Sequence, residues 1–173
     1  MNDAPLISVV IPAYNEAAVL ESLVARVCEA LIAHRLELIV VDDGSTDGTA
    51  EVADRLAAAS AKVMVIHFSR NFGHQAAILA GMRHARGDAV IVMDADLQDD
   101  PAALARFVDK WREGFDVVYA VRAARKEATW KRLLFYSFYR IVNAMAQPPM
   151  PNDAGNFGLI DRRHHPAREH HPG

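Results

Sequence analysis

Residues Val90 to Pro101 read VIVMDADLQDDP, an apolar run leading straight into three alternating polar side chains, Asp94, Asp96 and Gln98. Carboxylates on one short turn at a strand's end can hold a hard divalent cation. Magnesium and manganese take oxygen ligands and usually bind through one or two carboxylates plus substrate phosphates. The spacing therefore points to a metal-diphosphate site rather than a cage built wholly of protein. A polar loop capping a helix is the other reading, with Asp99 or Asp100 as N-cap and Pro101 at the first helical position. Capping uses the later acids and leaves Asp94 and Asp96 unexplained, so the two readings coexist.

The elements that must carry this turn can be read upstream of it. Ile7–Ile11, Leu36–Val41, Val63–Phe68 and Ala89–Met93 are short apolar strands. Between them, Glu16–Ala33 sets Leu20, Leu23, Val27 and Leu31 on one helical stripe, and Asp47–Ala59 offers Val52 and Leu56 after a Ser-Thr-Asp start. Continuous apolar strands separated by helices predict an α/β fold with a mainly parallel sheet covered on both faces. In such sheets ligands bind beyond the carboxyl ends of the strands. Polar clusters fall at those ends: Pro12–Glu16, Asp42–Asp47, Ser69–His74, and the turn at Asp94.

Each cluster has a chemical and a structural reading. Tyr14, Asn15 and Glu16 can stack on and hydrogen-bond a nucleoside, and Asn15 and Glu16 also suit a helix start. Asp42 and Asp43 can accept from a base N–H or ribose hydroxyls, although Asp-Gly-Ser is also strong turn chemistry, and Ser45–Asp47 read as capping residues. Arg70, at a strand end, is placed to meet a base edge or a phosphate. His74 reads as a helix-start residue in preference to a ligand.

Taken together, VVIPAYNE, VVDDGSTDGT, SRNFGHQAAILAG and MDADLQDDP resemble the family 2 glycosyltransferases. More narrowly they resemble the branch of polyprenyl-phosphate sugar transferases that includes bactoprenol glucosyltransferases and dolichol-phosphate mannose synthases. The likeness runs from about Leu6 to Ile160, and its specificity lies in the ordered set rather than in any single motif. It implies the GT-A, Rossmann-like nucleotide-sugar-binding fold, with Pro12, Tyr14, Glu16, Asp42 or Asp43 and Arg70 around the nucleoside. Asp94, Asp96 and Gln98 match the metal-binding motif, for Mg2+ or Mn2+.

The implied reaction moves a hexose from a nucleotide diphosphate sugar to a polyprenyl phosphate. Donor resemblance leans to UDP-glucose over GDP-mannose. An acceptor phosphate with a second pKa of about 6 is already largely ionised near neutral pH and needs little help from a base. A single displacement at the anomeric carbon inverts its configuration. The stretch Ala120–Ala146 suits an anionic lipid. It carries Arg122, Arg125, Lys126, Lys131, Arg132 and Arg140 among Trp130, Phe135, Tyr136, Phe138 and Tyr139, a pattern fit for a helix at the inner membrane surface or for one packed on a core. By resemblance, Arg122, Arg132 and Ser137 hold donor and acceptor phosphates, and Asp153 lies near the reacting centre with Asp96. Asp153 also suits a turn after the Pro148–Pro151 breaker. Asn156 replaces an acid found in many bacterial relatives, and an amide cannot serve as a base.

Relatives of this branch continue beyond the point where this sequence reaches Gly173, so a truncated or frame-shifted reading of a longer transferase is expected. The domain is drawn at 1–160, with 161–173 (DRRHHPAREHHPG) a disordered tail. With 173 residues, 51% of them apolar, the chain is long enough for one core. No apolar run approaches the roughly 20 residues of a membrane span, which places the protein in the cytoplasm or on the membrane's cytoplasmic face. The single cysteine, Cys28, reads as a small core residue. A net charge of −3 gives no global basic field, so nucleic acid is not an expected partner. The sequence leaves oligomeric state open. Two alternatives stand beside the lipid transferase: a non-catalytic nucleotide-sugar-binding remnant, and a soluble family 2 transferase acting on a saccharide.

Overall fold

The computed structural model describes residues 4–95, 100–121 and 154–164. The apolar runs form strands β1 (Leu6–Ala13), β2 (Arg35–Asp42), β3 (Val63–His67) and β4 (Ala89–Val92). Helices α1 (Leu20–Ala30), α2 (Thr49–Ala59) and α3 (His74–His84) connect them, and α4 (Ala103–Arg112), β5 (Val117–Val121) and β6 (Ala154–Asp161) follow. The sheet order is β3-β2-β1-β4-β6-β5. β1 pairs in parallel with β2 and β4, and β2 with β3, while β6 runs antiparallel to β4. Each helix carries the chain back to the edge where the preceding strand began, so the parallel strands β1 to β4 all end at the opposite edge.

Both faces of the sheet are covered, as the unbroken apolar runs imply. Val10, Ile39, Val41, Val90 and Val92 form one face with Ala77, Ile78 and Met82 of α3. Their strand neighbours Val9, Ile11, Leu38, Val40 and Ile91 alternate to the other face and are fully buried too. Helix α3 lies unusually close to β1, because a Cβ on Gly81 would meet Val10 Cγ1 at 2.3 Å. On α1 the expected stripe of Leu20, Leu23 and Val27 is buried, with Leu31 just beyond the helix.

Several details differ from the sequence reading. Helix α1 starts at Leu20, not Glu16, because Asn15 takes a left-handed φ of 57° and the next two N–H groups bond to Thr49, which opens α2, and to Asp47 just before it. Asp100 caps a turn at Pro101–Ala102 that precedes α4 rather than α4 itself, its Oδ1 accepting from Ala102 N at 3.1 Å. Cys28 is half-buried, off the apolar stripe.

The sequence suggested one domain over 1–160. Residue contacts divide the chain into two compact units, Met1–Val118 with Asn156–Gly173, and Tyr119–Gly155. Of the second unit, 119–121 and 154–155 are described, as the ends of β5 and β6. The expected tail also needs correction at its start. Asp161 completes β6 opposite Ala89, and a 3-10 helix covers Arg162–His164. Asp161 is buried, and its carboxylate accepts from Trp111 Nε1 at 2.7 Å and from Arg163 N and Nε at 2.8 and 2.9 Å. The Arg163 hydrogen bonds, helped by Trp111, hold this carboxyl far below the usual carboxylate range against the opposing effect of burial. Residues 165–173 lie outside the described residues.

Candidate functional site

The loops after β1 and β2 are joined by side chains bonding across to backbone. Ser45 Oγ accepts from Asn15 N at 3.0 Å, Thr49 Oγ1 from Glu16 N at 2.8 Å, and Asn15 Oδ1 from Thr46 N at 2.8 Å. Asp47 accepts from Ala17 N at 3.2 Å and, at the start of α2, from Thr49 N at 3.0 Å. Ser45 thus ties two loops together, where the sequence suggested a helix cap. Asp47 does both.

The paired acids Asp42 and Asp43 are both 3% exposed but face different partners. Asp43 accepts from Phe72 N at 2.7 Å and Gly73 N at 3.0 Å, so it fixes the loop after β3. Asp43→Ala would leave two N–H groups without their charged acceptor. We expect it to cost about 1.5–3 kcal/mol in urea denaturation and to weaken nucleotide binding through the displaced loop. A midpoint equal to that of the parent would remove Asp43 from this structural role.

Asp42, at the end of β2, accepts from Ser45 N at 3.0 Å and contacts His67 Nδ1 at 3.0 Å. Burial pushes its carboxyl upward, but hydrogen bonds from Ser45 and His67 outweigh that and hold it below the usual range. His67 also reaches Asp54 Oδ1 of α2 at 3.1 Å. Asp42, Ser45, Asp54, His67 and Arg70 line a cavity of about 710 Å³ with Tyr14. The Arg70 guanidinium lies 4.4 Å from the centre of the Phe72 ring, which in turn meets Phe68 edge-on.

A second cavity of about 340 Å³ shares Tyr14 and is lined by Pro12, Glu16, Asp43, His74 and Asp94. His74 opens α3, as its sequence position suggests, and its Nε2 lies 3.2 Å from Asp94 Oδ1. The residues singled out after β1, β2, β3 and β4 thus surround two adjoining cavities at the carboxyl edge. An aspartate oxygen on the wall of this smaller cavity fits the hard donor chemistry of magnesium or manganese. Among the described residues, no group of three His, Cys, Asp or Glu side chains could hold a metal ion alone. Asp96, Gln98, Arg122, Arg132, Ser137 and Asp153 lie outside the described residues, as does the aromatic-basic stretch from Arg122 onward. No helix among the described residues is long and apolar enough to cross a membrane.

Sequence reasoning missed His67, absorbed into an apolar strand, and the contact between His74 and Asp94. A polar residue closing the run VMVIH was the available signal for the first.

With this strand order and its loops gathered at one edge, the chain has the GT-A fold of solved glycosyltransferases. A mannosyltransferase of Pyrobaculum calidifontis, solved with GDP-Man and Mn2+, superposes with a TM-score of 0.63 at 27% identity, over 94% of this chain and 46% of that one. A Mycobacterium tuberculosis glucosyl-3-phosphoglycerate synthase, solved with Mn2+, UDP and phosphoglyceric acid, shares the fold at 22% identity and a TM-score of 0.67, over 92% of this chain and 56% of that one. Residues 8–166 match the glycosyl transferase family 2, and the chain belongs to that family.

Among curated relatives, it is 43% identical over 159 residues to an uncharacterized glycosyltransferase, YkcC, of Bacillus subtilis, covering 90% of this chain and 49% of the relative. It is 35% identical over 159 residues to a prophage bactoprenol glucosyl transferase homolog of Escherichia coli, covering 90% and 52%. It is 46% identical over 131 residues to an undecaprenyl-phosphate 4-deoxy-4-formamido-L-arabinose transferase of Pseudomonas aeruginosa, covering 73% and 38%. The chain spans about half the length of the first of these relatives.

Proposed function

We propose that the protein transfers a hexose, glucose by preference, from a nucleotide diphosphate sugar to a polyprenyl phosphate, with a divalent cation. The observation that carries this reading is the meeting of Asp94 with the loops after β1, β2 and β3 around two adjoining cavities. The larger suits a nucleoside, with the aromatic face of Tyr14, the acceptor Asp42 and the cation Arg70 on its walls. The smaller suits the diphosphate and its cation. The polyprenyl acceptor rests on the relatives named for bactoprenol and undecaprenyl phosphate. It also rests on the basic and aromatic residues of Ala120–Ala146, from which such a lipid would be drawn at the membrane's cytoplasmic surface.

In this reading Asp94, Asp96 and Gln98 would hold the cation, which supplies positive charge to the departing diphosphate. An acceptor phosphate oxygen forms the new bond to the anomeric carbon from the face opposite the leaving group. The bond from that carbon to the nucleotide's diphosphate breaks, and its electron pair leaves with the nucleoside diphosphate. Inversion follows. Arg122, Arg132 and Ser137 are assigned to the phosphates and Asp153 to the acceptor side, all by resemblance.

Calorimetry with UDP-glucose and GDP-mannose, each with Mn2+ and with chelator, tests the site, and transfer of labelled sugar to polyprenyl phosphate tests the reaction. We expect metal-dependent binding of UDP-glucose and a lipid-linked product. A folded chain that binds neither donor would overturn the reading. Donor binding without transfer would leave a nucleotide-sugar-binding remnant, and transfer to a saccharide alone would indicate a soluble transferase.

A further inference from the structure

His67 closes β3 on the wall of the larger cavity, where its ring bridges two carboxylates from different elements. Nδ1 lies 3.0 Å from Asp42 Oδ2 and Nε2 lies 3.1 Å from Asp54 Oδ1. A neutral imidazole has one N–H and one lone pair, so it can donate to only one of these acids. Both contacts are hydrogen bonds only when the ring is an imidazolium. The inner one is the better shielded, since the Asp42 side chain is 4% exposed and that of Asp54 69%. Ser45 N holds Oδ1 and His67 lies on Oδ2, with the Ser45 side chain as a further hydrogen-bond partner. A carboxylate has about four acceptor sites, so Asp42 keeps capacity for a further donor from the cavity.

We propose that His67, clamped as an imidazolium between Asp42 and Asp54, is a positioning residue of the donor site. It fixes the Asp42 carboxylate as the acceptor for the donor's nucleoside, so donor affinity depends on His67 protonation. This rests on the reading of the larger cavity as the nucleoside pocket. The groups that face the ring are Asp42 from β2 and Asp54 from α2, while Tyr14 and Arg70 share the cavity.

The hydrogen bond to Asp42, with a further contribution from Asp54, raises the His67 pKa above its ordinary value against the effect of burial. The clamp is therefore complete below the raised pKa and released as pH rises through it. Once the ring is neutral with its proton on Nδ1, the Nε2 lone pair faces the Asp54 carboxylate and the outer contact is lost. Donor affinity should fall with rising pH.

The test is UDP-glucose calorimetry in magnesium across roughly pH 5.5 to 8, with the His67 imidazole followed by NMR over the same histidine range. The diphosphate diester of this probe does not titrate in that window, and GDP-mannose replaces it should the parent protein bind only that donor. We expect the parent Kd to rise about three- to tenfold across the window, the equivalent of up to one pKa unit of linkage. His67→Ala should bind about tenfold more weakly at the acid end, with a flat residual profile. His67→Asn, whose neutral amide can donate to Asp42 but cannot complete the two-sided clamp, should match the parent's weaker affinity at the alkaline end and stay flat. Asp54→Asn should move the midpoint downward. The difference between the parent and variant profiles is the readout. Parent-like affinity and pH dependence in both His67 variants, or a His67 resonance titrating at or below the ordinary histidine value, would overturn the positioning role alone. No binding of either donor by the parent at any pH would overturn the donor-site reading and this inference with it.

Discussion

Asp94→Ala is expected to abolish metal-dependent donor binding while leaving the fold intact. Asp94 lies one residue beyond the last sheet-linked backbone group, Met93 N, which donates to Val10 O at 3.0 Å. Its Oδ1 is 3.2 Å from His74 Nε2, and the two side chains are 25% and 41% exposed. A part-exposed pair of this kind contributes about 1 kcal/mol or less, so the melting temperature should scarcely move. Affinity is a different matter. Losing residues that merely orient metal ligands costs about 10- to 100-fold, and loss of a ligand should cost at least the upper end of that range. UDP-glucose titrated in Mn2+ should therefore bind the variant about 100-fold more weakly, and in chelator the variant and parent should coincide. His74→Gln separates the two partners, because it removes the imidazole and keeps the carboxylate; it should retain most of the metal-dependent gain. Asp94→Ala with undiminished affinity in Mn2+ would remove Asp94 from the metal site.

The strands and helices were legible because apolar runs and a 3.6-residue stripe are local properties of the chain. Leu20, Leu23 and Val27 announce α1 as clearly as its buried face shows it. The set of site loops was legible for a topological reason: every parallel strand followed by a helix returns its polar end to one edge. What stayed hidden was the pairing of side chains across loops. Asp42 and Asp43 are adjacent and chemically identical, yet one borders the larger cavity beside His67 and the other binds the backbone of Phe72 and Gly73. Alternation along an extended chain sends neighbours to opposite sides, but their partners lie about 25 to 30 residues away, beyond any local pattern. His67 was concealed by its own strand, and Asp161 by the polar, aperiodic stretch that follows it. In both cases the decisive contact came from another element, α2 for one and α4 for the other.

Gly44→Ala carries the second large effect, because it strikes the junction of the loops that form the nucleoside cavity. Gly44 has a φ of +67°, which disfavours any side chain, and a Cβ there would fall 2.3 Å from Arg70 C and 2.6 Å from Arg70 Cα. Those are backbone atoms and cannot rotate aside. Either the loop after β2 or the loop after β3 must move, taking with it Ser45, which bonds Asn15, or Arg70, which lines the cavity. A left-handed residue with a Cβ costs about 1–2 kcal/mol and forced overpacking about 1–3 kcal/mol. Together they predict a loss of about 2–5 kcal/mol and, for a chain of this size, a melting temperature lower by roughly 5–15 °C. Gly114→Ala is the matched control. Its φ of +103° imposes backbone strain, but nothing lies within 4 Å of its added Cβ. The excess destabilisation of Gly44→Ala over Gly114→Ala measures the close approach of the two loops, and weaker UDP-glucose binding in Gly44→Ala alone would tie that approach to the donor site. Equal melting temperatures for the two variants would mean that the loops separate without cost, and that Gly44 does not set the position of Arg70.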